Sequence, residues 1–155
     1  MKHRFAQWTV ASIVAAAATL AHAQSGTSAD ELIGDADRIV QQLDAGRFGD
    51  VWNGVSPFVK SKVTQQQFVT ETQQARQSLG AVTQRGWAAV TRIQFSNSKT
   101  VPDGLYANVD YATTLSTGKI AYEKLSFRLE DDGKWRLTGY VPRQTQGPLP
   151  GAASQ

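Results

Sequence analysis

Arg85 and Glu123 are the two side chains of this chain whose surroundings would give a charge something to do. By strand alternation Glu123 falls in one set with Leu125, Phe127 and Leu129, and Arg85 in one set with Trp87, Ile93 and Phe95. Both charged groups are thus expected to point toward an apolar interior. An enclosed charge without a partner costs on the order of several kcal/mol, so each should find a partner or shift its pKa. One reading is structural: the two groups pair, or sit at strand ends and reach solvent. The other is functional: they mark the mouth of a ligand cavity, Glu123 as a desolvated base or Arg85 as an anion clamp, with Trp87 and Trp52 in its lining. The same two tryptophans are equally read as core volume. Tyr106 and Tyr140 have the opposite parity to the apolar sets of their strands, which predicts an outer sheet face and a partner surface. Poorly covered sheet edges would give the same pattern.

Most other chemistries are removed by the way the chain begins. Lys2, His3 and Arg4 precede an alanine-rich apolar run at residues 9–20, and Ala21-His22-Ala23 then offers the small residues that signal peptidases require. Cleavage is expected between Ala23 and Gln24. The apolar run is nearer a dozen residues than the roughly 20 that span a bilayer, so no stable membrane anchor is expected after cleavage. The expected location is periplasmic or secreted. The whole chain carries 16 Lys and Arg against 13 Asp and Glu, and losing Lys2 and Arg4 leaves 14 against 13. No basic surface for nucleic acid remains. His3, His22 and Met1 leave too, and there is no cysteine. A mature chain without His or Cys has no imidazole base for Ser-His or Cys-His catalysis and none of the usual zinc, haem or iron–sulfur ligands. No cofactor and no metal site are expected.

The elements that must hold Arg85 and Glu123 follow from period and punctuation. Ser28-Ala29-Asp30-Glu31 forms a capping box, Leu32, Ala36, Ile39, Val40 and Leu43 follow at helical spacing, and Gly46 ends the run. Residues 48–63 carry a helix-like stripe interrupted by Gly54 and Ser56-Pro57, which predicts two short helical pieces. A third helix opens at Thr64-Gln65-Gln66-Gln67 and stops at Gly80. Beyond Gly80 the period becomes two. Turns at Pro102-Asp103-Gly104, Thr117-Gly118 and Asp131-Asp132-Gly133 divide the remainder into four antiparallel strands. Helices followed by strands predict an α+β domain over residues 28–143, its helices packed on one face of the sheet. Residues 144–155 have no apolar period and are expected to be a disordered tail.

Asp44-Ala45-Gly46 with Trp52, Arg76-Gln77-Ser78-Leu79-Gly80 with Arg85, Pro102-Asp103-Gly104-Leu105-Tyr106, Tyr122-Glu123, and Gly133-Lys134-Trp135-Arg136 with Gly139-Tyr140 occur in that order. Together they resemble the bacterial domain-of-unknown-function family numbered 4019, over about residues 32–143. The resemblance implies an exported bacterial protein with helices against a curved four-stranded antiparallel sheet, like the cystatin or nuclear-transport-factor cone. It implies no activity. Pro142 stands where the family's closing strand continues with an apolar residue, so that strand is expected to stop early.

The expected function is a non-catalytic periplasmic module that binds a small apolar ligand or a protein partner, with homodimerisation left open. Two alternatives belong to other classes. An isomerase-like enzyme would use Glu123 or Asp110 as base and need a carboxylate raised toward neutral pH. A cystatin-like inhibitor or assembly partner would use its edge strand or tail.

Overall fold

Ser28 closes the first turn of α1 (Ala29–Asp44) by accepting from the Glu31 N–H at 3.0 Å. The computed structural model describes residues 28–147. The expected signal segment with its expected cleavage between Ala23 and Gln24, and residues 148–155 of the expected tail, lie outside that range. One stripe of α1 is buried, formed by Leu32, Ala36, Ile39, Val40 and Leu43 at the predicted spacing. The irregular stretch does resolve into two short helices, α2 (Phe48–Asn53) and α3 (Pro57–Lys60), with Pro57 in the first turn of the second, where its missing N–H costs nothing. In α4 (Gln65–Leu79) Thr64 and Gln67 cap each other reciprocally, and Gly80 ends the helix at a φ of 87° that a side chain would strain.

Four strands follow: β1 (Val82–Phe95), β2 (Gly104–Leu115), β3 (Ile120–Leu129) and β4 (Trp135–Arg143). They form an antiparallel meander in the order β1-β2-β3-β4. The architecture is therefore α+β, helices first, then an open four-stranded sheet. One face of the sheet, here called inner, carries Ala107, Val109, Tyr111, Leu125, Phe127, Trp135 and Leu137 into a single apolar core with α1, Val51, Val55 and Phe68. Burying a side chain of this size contributes about 1.5–3 kcal/mol, so this face decides where the helices lie.

Two irregularities in the ladder correct the parity expected from sequence. Between Trp87 and Ala89 the β1–β2 register shifts by one residue, so Val90 pairs with Val109 and Ile93 with Tyr106. Arg85 therefore keeps the inner face, while Ile93 and Phe95 turn to the outer one. On β4 the register shifts after Leu137, placing Tyr140 opposite Leu125 and Val141 opposite Lys124. Tyr140 thereby joins the inner face and Val141 is left 47% exposed outside.

The last strand does not stop early at Pro142. It runs through to Arg143 because β4 is an edge strand, where the missing N–H of proline leaves no ladder bond unmade. That edge is partly covered: Val55 forms a parallel bridge with Leu137, the Ser56 N–H donates to the Leu137 carbonyl at 2.9 Å, and the Leu137 N–H donates to the Gly54 carbonyl at 3.1 Å.

Candidate functional site

Arg85 and Glu123 meet. Arg85 Nε donates to Glu123 Oε1 at 2.7 Å, the carboxylate is fully buried, and the guanidinium side chain is 11% exposed. Two further donors complete the carboxylate: Thr113 Oγ1 reaches Oε1 at 2.6 Å, and the Tyr140 phenol reaches Oε2 at 2.6 Å. The register explains the convergence. Arg85 pairs with Thr113 on β2, Thr113 with Ala121 on β3, and Glu123 lies two residues further along the same inner face.

Arg85 also faces outward. Its Nη1 and Nη2 donate to the two oxygens of Asp44, the last residue of α1, at 2.8 and 3.1 Å. Arg76 of α4 adds its Nε to Asp44 Oδ1 at 2.9 Å and spends Nη1 on the Gly80 carbonyl at 2.8 Å. A chain of charge thus runs from the buried Glu123 through Arg85 and Asp44 to Arg76, tying α1 and α4 to β1 and β3. Burial alone would raise the Asp44 carboxyl, but the hydrogen bonds and charges of Arg85 and Arg76 outweigh it and hold the group below its ordinary value. Burial likewise opposes the charge on Arg85, and Asp44 and Glu123 more than restore it. Burial first, then the charge and hydrogen bond of Glu123, push the Tyr140 phenol well above its ordinary value.

This arrangement favours the structural pair over the cavity mouth. Three donors from the protein itself hold the Glu123 carboxylate, and it has no exposed surface to offer a substrate. Asp110, the other base considered, lies on the outer face in an ion pair with Arg143. Among the described residues no group of three or more acidic side chains is placed to hold a metal ion.

The two tryptophans do not line this site. Trp87 is on the inner face but at the uncovered edge of the sheet, 59% exposed. Trp52 packs on Phe68, ring centres 5.4 Å apart, and Lys60 Nζ lies over the Trp52 ring. The tyrosines correct the outer-surface expectation in different ways. Tyr140 points inward, to Glu123. Tyr106 is on the outer face but only 8% exposed, packed edge-on against Phe95 with its phenol donating to the Pro102 carbonyl at 2.9 Å. The residues that sequence reasoning missed as site members are Asp44, Arg76, Thr113 and Tyr140. Asp44, Arg76 and Tyr140 each stand in the short motifs above, which was the available signal.

Tyr106 instead helps to line a groove of about 320 Å³ across the outer face. Ile93, Phe95, Val101 and Phe58 make it apolar, and Asn108, Ser126 and Thr138 place polar groups along its floor. Ser126 donates to Asn108 Oδ1 at 2.7 Å, and Asn108 in turn reaches Thr91 Oγ1 at 3.5 Å, so the floor is ordered across three strands. Two residues before Phe58, the fully buried Ser56 donates through Oγ to Glu130 Oε1 at 2.5 Å.

No curated protein and no solved structure matches the chain. A family model does match, over residues 35–140, and that span contains Asp44, Arg76, Arg85, Thr113, Glu123, Tyr140 and every residue lining the outer groove. The chain belongs to this family, described as proteins of unknown function and designated DUF4019.

Proposed function

We propose that this chain is an exported, non-catalytic binding module that takes a small apolar ligand in the groove on the outer face of its sheet. The observation that carries the reading is the lining of that groove: six apolar side chains, the core residue Phe127 among them, with three polar ones, at a volume suited to a small molecule. The groove crosses strands instead of running along an edge, so it fits a compact ligand better than an added peptide strand. The absence of His and Cys after residue 23 supports a non-catalytic role. So does the enclosure of Glu123 among its own donors. Export rests on the features of residues 1–23.

The test is a fluorescence titration with N-phenyl-1-naphthylamine, a neutral apolar probe, of the wild type and of Ser126→Phe, which fills the floor. Saturable binding by the wild type, lost in a variant that remains folded, supports the reading. Equal binding by both, or none by the wild type, contradicts it.

A second reading, an interaction module, is favoured by Trp87. A tryptophan 59% exposed on the open β1 edge is a ready contact for a protein partner.

A further inference from the structure

Beyond β4 the chain turns back onto the sheet. It bends at Gln144-Thr145, and Gly147 is half-buried. A Cβ built on Gly147 would lie 2.5 Å from Arg143 Nη1, so this backbone rests against the guanidinium. Arg143 is in turn paired with Asp110 on the outer face. Arg143 stands opposite Tyr122 and Asp110 opposite Lys124, so the Arg143 side chain crosses β3 to reach β2, one step toward the outer groove.

The residues after Gly147 are within reach of that groove. Asn108, in its lining, lies two residues along β2 from Asp110, about 7 Å away. Pro148-Leu149-Pro150 spans about 9 Å at the rise of a polyproline helix. That conformation is the one these residue types favour, because each proline fixes its own φ and Pro150 biases Leu149 away from the α region. Leu149 also carries the only large aliphatic side chain after Val141.

Groove and segment are complementary in chemistry. Phe58, Phe95 and Tyr106 stand in the lining, and aromatic grooves take proline-rich segments because such segments have little conformational freedom to lose. Neither proline has an N–H, so the three residues offer three carbonyls and the single N–H of Leu149. The side chains of Asn108 and Thr138 carry donors for those carbonyls. A groove that crosses the strands also suits a segment whose prolines keep it from adding to the sheet as a strand.

We infer that Pro148-Leu149-Pro150 docks in the outer groove of its own chain, with Leu149 among the aromatic rings, and that a small apolar ligand enters by displacing it. The displacement rests on the ligand reading proposed above; the docked segment does not. The tail is then a built-in competitor. Apparent affinity for a ligand is the intrinsic affinity reduced to the fraction of molecules whose groove is empty.

The Leu149 methyl groups are the readout. In a proton–carbon correlation spectrum of the labelled full chain, Leu149→Ser removes their peaks and so assigns them. Docking is expected to place these peaks upfield of a free leucine, through the ring currents of Phe95 and Tyr106, with nuclear Overhauser contacts to those rings. Ser126→Phe, which fills the floor, should return them to the free position, and so should saturating N-phenyl-1-naphthylamine. Leu149→Ser should bind that probe about threefold more tightly than the wild type, the gain from removing an occupant that fills the groove about two-thirds of the time. Methyl peaks at the free-leucine position overturn the inference. So do contacts that vanish on dilution, which would come from the tail of a second copy. Probe binding of equal strength by both chains also overturns it, and leaves the ligand reading intact. Docked methyl groups with no probe binding by either chain contradict the ligand reading instead and uphold the docked tail.

Discussion

The phenol of Tyr140 donates to Oε2 of Glu123 at 2.6 Å while Arg85 and Thr113 occupy Oε1, so a carboxylate with no exposed surface is held by donors from β1, β2 and β4. Such a group is a tie between strands. A buried pair adds little over a well-packed apolar substitute, yet removing one member leaves the other uncompensated.

Glu123→Ala should therefore destabilise by about 3–5 kcal/mol in urea unfolding. Arg85→Met should be costly for the same reason. The double variant should cost less than the sum of the two, with a coupling of at least about 1 kcal/mol, because it leaves no orphaned charge on either side. Additive losses would show that the two groups do not depend on each other.

Asp44 sets the acid limb of stability. Its folded pKa lies below the ordinary value of 3.8, so the stabilisation it gives is complete above that value and is lost as pH falls through the lower folded one. Urea midpoints measured from about pH 5 down to about pH 2 should fall less steeply for Asp44→Asn than for the wild type. Asp44 is partly exposed, so the difference should be modest and should shrink in high salt.

Tyr140 and Tyr111 set the alkaline limb. Burial raises both phenols, and the acceptors Glu123 and Asp37 raise them further, the latter at 2.5 Å from the Tyr111 hydroxyl. Their stabilisation is complete below the ordinary value of 10.0 and is lost as pH climbs past it, because the unfolded chain ionises first. Tyr140→Phe and Tyr111→Phe should each flatten the decline of the urea midpoint above about pH 10. An unchanged slope in both would mean that the phenols are not held neutral.

Ser56 connects the helical layer to the groove. Losing its hydrogen bond to the Glu130 carboxylate in Ser56→Ala should cost about 1.5–3 kcal/mol. Hydrogen exchange should quicken at the Leu137 amide, which donates to the Gly54 carbonyl beside it. With Phe58 less firmly held, affinity for N-phenyl-1-naphthylamine should fall with it.

The helices, their caps and the turns were legible from sequence because each depends on local chemistry: Ser28, the Thr64–Gln67 box, Pro57, and the glycines at 80, 118 and 133. The partnership of Arg85 with Glu123 was legible as one of two readings, since parity put both on one face. What could not be read was the pair of ladder irregularities. A bulge inverts the facing of every residue beyond it and leaves no signature in a period-two pattern this short. That is why Tyr140 was expected outside and Ile93 and Phe95 inside, and why the groove went unseen. Asp44 and Arg76 were hidden for another reason. Asp44 meets Arg85 from 41 positions away in sequence and Arg76 meets Asp44 from 32, and only the packing of α1 and α4 against the sheet brings them there.

The central claim is that the outer groove holds a small apolar molecule. Native mass spectrometry of the full-length protein, purified gently from its own cells alongside Ser126→Phe, tests it most directly. The account predicts a wild-type species carrying an added small-molecule mass, absent from the variant. A wild type found only as an empty monomer, or bearing a protein partner that Ser126→Phe retains, would contradict it.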